Sequence, residues 1–333
     1  MNDLQLDALA FRWRRTLDTT ADSLSQIGRS QQTLHFSPAQ LHRWMSELEC
    51  ERGTADVELE RLARTTHTRL HRHMQGPRAT GTLLGLGSSV EACVFDLDGV
   101  LTASAALHAA AWRETFNEFL ARHHARAGGH YDSWPPFDAG DDYWRYIHGR
   151  PRIDGARRFL ASRGIRLPAG TPDDLPDVET DWGLAARKNE VLQRDLREQG
   201  VRAYEGSIRF LELAGEAQLG LAIVSASANT LEILDRAGLL LLVDQVVDGN
   251  VMREEHLRPK PEPDSVLAAC QRLGVQPAAV ATFETTVEGI TAGRSAGIGR
   301  VIAVNRSASS LSSASTADVV VSAVEEMIAS ELV

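Results

Sequence analysis

The run Ala92-Cys93-Val94-Phe95, followed by Asp96-Leu97-Asp98-Gly99, constrains this chain more than any other stretch. Consecutive apolar residues without polar alternation predict a strand buried on both faces, as in a parallel sheet. Ligands of open α/β sheets bind beyond the carboxyl ends of the strands, so the two acids fall where chemistry is done. Two carboxylates separated by one residue and followed by Gly can hold a hard divalent cation. With that cation muting charge repulsion, one carboxylate can attack phosphorus and form an aspartyl-phosphate. A calcium loop is excluded, because its fifth and twelfth positions need acids and this chain has Val100 and Leu107 there.

The second half supplies partners for that strand. Apolar runs at Leu219–Val224, Val243–Val247, Ala279–Phe283, Val301–Val304 and Val319–Val321 alternate with helical patterns at Ser265–Leu273 and Val287–Ser295. Such alternation predicts a parallel sheet with right-handed crossovers. Its strand ends carry different chemistry. Ser225, in Ser225-Ala226-Ser227-Ala228-Asn229, offers a hydroxyl and nearby backbone N–H groups for phosphate oxygens. Lys260 sits in the Pro-stiffened loop Arg258-Pro259-Lys260-Pro261-Glu262-Pro263-Asp264, and Glu284 adds a carboxylate. Phosphoryl transfer needs this combination of nucleophile, cation, fixed positive charge and oxygen-cradling donors.

Lysine usage points to the same places. Of 35 basic residues only Lys188 and Lys260 are lysines, so a compact amine is kept at two positions while arginine serves everywhere else. Residues 105–200 read as helical, interrupted by the polar, Pro- and aromatic-rich stretch 128–142, and predict a helical cap inserted into the core. Within it, His148-Gly149-Arg150-Pro151-Arg152 is a basic turn before a helix, suited to a phosphate. His108, in an Ala-rich helix, reads on its own as a packing residue. Trp134, Tyr143, Trp144 and Tyr146 read as core of the cap rather than a sugar platform.

Residues 1–80 read as a separate helical N-terminal extension, with a helix start at Ser37-Pro38 and a later helix expected over about 55–73. Its cluster His67, Arg69, His71 and His73 has no third metal ligand in evident reach and reads as a solvated basic face. Residues 81–90 read as a linker, leaving 91–104 and 201–333 as the core. The formal charge of −10 argues against nucleic-acid binding, and no apolar run is long enough to span a membrane. Three scattered cysteines suit a reducing, cytoplasmic setting.

Asp96-Leu97-Asp98-Gly99-Val100-Leu101-Thr102, with Ser225, Lys260 and Glu284 in order behind it, resembles the four motifs of the haloacid dehalogenase (HAD) superfamily. The likeness is greatest to its β-phosphoglucomutase branch and covers about residues 91–305. It implies an α/β fold, a HAD-like Rossmannoid parallel sheet with an inserted α-helical cap. It also implies Mg²⁺ as cofactor and a small-molecule sugar phosphate as substrate. By the same likeness Asp96 is the nucleophile, Asp98 the general acid/base, Ser225 and Lys260 the second and third motif residues, and Ser227 and Asn229 lie near a phosphate. His108, Arg152, Lys188 and Asn189 stand where that branch binds substrate, and Asp96, Asp98, Glu284 and Thr285 where it holds metal.

The chain departs from the pattern at Thr285, where an Asp is usual, which implies weaker Mg²⁺ binding. Glu288, one turn on, is a candidate substitute, although it reads as an exposed helix glutamate. Ala103, Ser104 and Ala228 replace Asp, Thr and Lys of many family members. The implied activity is interconversion of β-glucose 1-phosphate and glucose 6-phosphate through an aspartyl-phosphate and a bisphosphate. The alternatives are a sugar-phosphate phosphatase, or a metal-poor binding module docking on a protein partner or a second copy through residues 1–80.

Overall fold

A computed structural model of the protein describes residues 84–126, 134–306 and 316–328. The chain divides into two units between Gly76 and Pro77, and all the described residues belong to the second. The extension over 1–80, its histidine cluster and its docking role therefore lie outside the described residues, as does 128–133.

The sheet begins with β1 (Ala92–Phe95), every residue of which is buried. It is followed by the helical segment α1 (Ser104–Arg126), a π-helical turn at Tyr143–Ile147, α2 (Arg152–Ser162) and α3 (Asp181–Gln199). The chain then returns through α4 (Glu205–Glu216), β2 (Gly220–Val224), α5 (Thr230–Arg236), β3 (Gln245–Val247) and α6 (Gly249–Glu254). It ends with α7 (Asp264–Leu273), β4 (Val280–Glu284), α8 (Val287–Ser295), β5 (Arg300–Val304) and β6 (Val319–Val321). The six strands are ordered β3-β2-β1-β4-β5-β6, and every pairing is parallel.

Period-two alternation decides which face each strand residue serves. Cys93, Phe95, Leu221, Ile223, Ala281 and Phe283 enter one apolar layer with α4 residues Phe210, Leu211 and Ala214. Ala92, Val94, Ala222, Val224 and Val280 enter the opposite layer with Val266 and Ile290 of α7 and α8. On the first face Phe95 stacks on Phe283 at 4.7 Å between centroids, and Phe210 meets Phe283 edge-on at 5.2 Å. Register aligns Phe95 with Ile223 on one side and with Phe283 on the other. Asp96, Ser225 and Glu284 consequently emerge along a single edge.

The helical insertion has its own core, centred on Trp112, Phe116, Phe137 and Phe159. Its two connections to the sheet run side by side. Ala103 N–H donates to Arg202 O at 2.9 Å and Tyr204 N–H donates to Leu101 O at 2.9 Å.

Two expectations require correction. Residues 81–90 are not an exposed tether in their described part, because Leu84 is 1% and Leu86 2% exposed, both within the core beside Met327 and Ile328. The Gly and Ser content of that stretch suggests a linker, but two leucines two residues apart supply enough apolar surface to dock it. The strand expected over Val243–Val247 is confined to Gln245–Val247. Leu240–Leu242 instead makes a 3₁₀ turn, and Asp244 fixes the strand's start by accepting from Leu221 N–H at 2.8 Å.

The aromatic layer under β1 sets the stability of this arrangement. Phe210→Ala removes a fully buried ring remote from the polar edge, and is expected to lower unfolding free energy by about 3–5 kcal/mol in denaturant titration.

Candidate active site

The polar edge opens into a cleft of about 840 Å³ between sheet and insertion. Asp96, Asp98, Ser225, Ser227, Asn229 and Lys260 from the core line it, and His108, Arg152, Lys188 and Asn189 line it from the insertion. Glu284 and Thr285 stand directly behind. Residues spread over nearly two hundred positions are thus brought together.

Lys260 is the electrostatic centre. Its ammonium donates to Glu284 Oε2 at 2.7 Å and to Val224 O at 3.4 Å, and lies 3.5 Å from Asp96 Oδ1. Burial opposes its charge, but Asp96 and Glu284 outweigh burial and hold its pKa above the ordinary value. Glu284 is fully buried. Burial pushes its carboxyl up to about 7, with Lys260 pulling it down and Asp96 pushing it further up.

Asp96 is held from the other side by Thr285. The Thr285 hydroxyl donates to Asp96 Oδ2 at 2.9 Å, so the Asp96 carboxylate is fixed between Lys260 and Thr285. The imidazole of His148 places Nε2 3.1 Å from the same hydroxyl. Because the hydroxyl proton goes to Asp96, His148 Nε2 is the protonated nitrogen in this arrangement. Its Nδ1 is buried without a partner, and burial lowers its pKa to about 4.

Asp98 occupies a different environment. Ser104 donates to its Oδ1, while burial, reinforced by Asp96, raises its pKa to about 6 against the pull of that hydrogen bond. Gly99, at φ +84°, makes the turn that separates the two acids, and a Cβ there would sit 3.3 Å from Thr285 Cγ2.

Opposite Asp98 lies a buried basic pair. Lys188 Nζ is 2.7 Å from His108 Nδ1, and burial lowers the pKa of both groups, Arg152 adding to the effect. The ring's other nitrogen, Nε2, is buried without a hydrogen-bond partner and stands 3.9 Å from Asp98 Oδ2, too far to bond directly. A hydroxyl seated beside the pair could bond to both groups.

Several bonds seal insertion to core. Asn229 donates to Asn189 Oδ1 at 3.0 Å and accepts from Gln193 at 3.0 Å. Arg150 pairs with Glu288 at 2.5 Å, and Gly149, at φ +73°, lies so close that a Cβ would meet Thr286 Cγ2 at 2.8 Å. Glu288 is therefore half-buried and engaged by Arg150, not the solvated helix glutamate expected. The basic turn divides its labour, since Arg150 closes the seam and Arg152 faces the cleft.

The donors at this edge fit Mg²⁺ in type. Asp96, Asp98, Glu284 and Thr285 offer only oxygen, and Glu284 Oε1 is buried with no hydrogen-bond partner. Among the described residues no three His, Cys, Asp or Glu side chains form a ready cage. Mg²⁺ tolerates such a sparse set, keeping waters and substrate phosphate as its other ligands. Trp112, Asn250 and Arg253, which the sequence reading did not raise, also stand on the cleft wall, as do Tyr143, read there as cap core, and His148, read only as part of the basic turn. Arg253 follows no motif at all.

Comparison with known proteins agrees with this geometry. The haloacid dehalogenase-like hydrolase family matches residues 90–297; the chain belongs to that superfamily, in its β-phosphoglucomutase-like branch. It is 44% identical over 256 residues to proteins called β-phosphoglucomutase in Mycobacterium bovis and Mycobacterium tuberculosis, covering 76% of this chain and 97% of theirs. It is 28% identical to the phosphorylated carbohydrates phosphatase of Thermotoga maritima, over 65% of this chain and 85% of that one. The fold matches the crystal structure of β-phosphoglucomutase from Clostridium difficile with a TM-score of 0.55 at 22% identity, over 71% and 92% of the two chains. The protein is a phosphoglucomutase-like HAD enzyme, a phosphotransferase or phosphatase.

The raised Asp98 carboxyl makes a prediction about stability. A carboxyl whose folded pKa exceeds its unfolded value costs stability once ionised, a cost that grows from about pH 4 and is complete above pH 6. Asp98→Asn, assayed in chelator, should stabilise the fold at pH 8 by up to about 3 kcal/mol and by little at pH 4. Thermal melts at the two pH values measure the difference, and an equal effect at both would remove the argument.

Proposed function

We propose that the protein is a β-phosphoglucomutase, interconverting β-glucose 1-phosphate and glucose 6-phosphate through phospho-Asp96 and glucose 1,6-bisphosphate. The observation that carries this reading is the facing pair of Asp98, near pKa 6, and neutral His108, with an unfilled Nε2. A group that both gives and takes a proton works best near the ambient pH. The two mycobacterial relatives bear the same name.

In the first half-reaction a free hydroxyl of the sugar monophosphate gives its proton to Asp98 while its oxygen attacks the phosphoryl group on phospho-Asp96, breaking the bond to Asp96 and forming the bisphosphate. In the second, with the sugar turned end for end, the Asp96 carboxylate attacks the other phosphorus, the P–O bond to the sugar breaks, and the departing oxygen takes its proton from Asp98. His108 orients the hydroxyl, with Lys188 fixing the ring from behind. Lys260 offsets charge on the transferring oxygens, and Ser225 and neighbouring backbone N–H groups cradle them. Mg²⁺ held by Asp96, Asp98, Glu284 and the neutral oxygen of Thr285 would supply further charge neutralisation. The seam between insertion and core keeps out water that would hydrolyse the phosphoenzyme.

A sugar-phosphate phosphatase is the second reading, favoured by the likeness to the Thermotoga maritima phosphatase. A phosphorus NMR time course with β-glucose 1-phosphate and a catalytic amount of the bisphosphate separates them. Glucose 6-phosphate should accumulate, and Asp96→Asn should abolish it. Accumulation of inorganic phosphate without glucose 6-phosphate would establish the phosphatase instead.

Thr285 provides an independent test of the metal assignment. Thr285→Asp should raise Mg²⁺ affinity in isothermal titration at least several-fold, since it adds a carboxylate beside Asp96. Unchanged affinity would place the cation elsewhere.

A further inference from the structure

The turn that carries Asp98 is gripped from behind by an arginine that does not line the cleft. Arg306 follows β5, which lies two places from β1 in the sheet, yet its side chain reaches back to the turn after β1. Its Nε donates to Gly99 O at 2.9 Å and its Nη2 to Val100 O at 3.2 Å. The same Nη2 donates to Ser207 Oγ at 3.2 Å, and the Ser207 hydroxyl itself donates to Val100 O at 2.8 Å. Gly99 N–H donates to Thr102 O at 2.9 Å, which closes the turn. The Thr102 and Ser104 hydroxyls meet at 2.5 Å, and Ser104 donates to Asp98. Asp98 is thus the end of a bonded chain that starts at the guanidinium.

One face of the guanidinium lies on the Tyr204 ring, with Cζ 3.6 Å from the ring centroid. Tyr204 belongs to the exit connection of the insertion and is bonded to Leu101 through its own N–H. A single planar cation therefore holds the acid turn by its edge and the exit connection by its face. Arg258 and Arg294, by contrast, place their forks on the carboxylates of Asp264 and Asp318. Arg306 gives its donors to one backbone turn and one hydroxyl, with the Glu325 carboxylate 3.8 Å away. Charge-assisted bonds are the strong ones, and two of them on successive carbonyls fix both peptide planes of the turn.

Resting on the reading of Asp98 as the group that gives and takes the substrate's proton, we infer that Arg306 is a positioning residue for that proton transfer. It touches no reacting atom. Its fork sets the peptide planes that follow Asp98, and its stack on Tyr204 keeps them in register with the connection to the insertion. Without the fork the turn rests on Gly99, whose backbone admits many conformations, and the Asp98 carboxyl is free to point in more directions. Asp96 lies ahead of the turn and is held separately by Thr285 and Lys260, so attack on phosphorus keeps its geometry. Loss of Arg306 therefore falls on the proton and spares the nucleophile.

The test compares two phosphate esters on the full-length protein with Mg²⁺. β-Glucose 1-phosphate exchanges a proton with Asp98, whereas p-nitrophenyl phosphate releases p-nitrophenolate, which leaves without one. Arg306→Gln should lower kcat/KM for the sugar ester about tenfold, part of the roughly hundredfold that a positioned proton donor contributes. It should leave kcat/KM for the aryl ester within about twofold of the parent. Arg306→Lys, which keeps one donor, should recover part of the loss. Thermal melts verify folding, and Tyr204→Leu, which removes only the stacking face, stands in with the same split expected should Arg306→Gln unfold. A parallel fall for both esters marks a merely structural residue and overturns the inference, as does no change for either. Sugar consumption is followed by phosphorus NMR, so that inorganic phosphate in place of glucose 6-phosphate removes the mutase reading and leaves the inference standing. If the parent cleaves only the aryl ester, the sugar reading falls, and phenyl phosphate, with its more basic leaving group, takes the sugar's place in the same comparison. A parent inert toward both esters overturns the inference as well.

Discussion

The interaction on which the rest of the structure depends is the buried contact of Lys260 with Glu284 and Asp96. One amine and two carboxyl groups meet at the floor of the cleft, with the Lys260 side chain 7% and the Glu284 side chain 0% exposed. Taking one partner from such a set leaves an uncompensated charge in low dielectric, which costs far more than the pair contributes when complete. Strand order, strand length and the Pro-stiffened loop all serve to deliver these groups to one point. The apolar layers on both faces of the sheet keep that point rigid.

Around this centre the protein sorts titratable groups by environment. Asp96 accepts from Thr285 on one oxygen and faces Lys260 at 3.5 Å on the other, whereas Asp98, half-buried against the Ser104 hydroxyl, is pushed up to about 6. Two carboxylates separated by one leucine thus acquire different chemistry. His148, His108 and Lys188 are kept below their ordinary values by burial, so that Lys260 dominates the positive charge at the phosphorus end. Thr285 joins the two halves, because its hydroxyl touches the nucleophile candidate on one side and the His148 ring of the insertion on the other.

Much of this was legible in the sequence. β1 and the acids after it are unmistakable because a strand buried on both faces has no polar alternation. The bounds of α8 at Val287–Ser295 match the apolar pattern, helped by the Thr286 cap that accepts from Gly289 N–H. The two lysines stood out because arginine fills almost every other basic position. Less legible were the features that depend on which long side chain finds which partner. Arg150 and Arg152 read alike, and only the fold turns one toward Glu288 and the other into the cleft. Arg253 sits in an unremarkable acidic segment, and its place is set by packing of α6 on the loop after β2. The docking of Leu84 and Leu86 was masked by surrounding Gly and Ser.

The paired connections at Ala103–Arg202 and Leu101–Tyr204 have a consequence for how such a protein can change. Entry and exit of the helical insertion pass through one narrow doorway, as neighbouring backbones bonded to each other. A foreign insertion of any length needs only two ends that meet there, and the sheet beneath keeps its register. The lid can thus be rewritten while the phosphorus-handling floor stays as it is, which makes novelty at the roof of the cleft cheap for evolution and for the protein engineer alike.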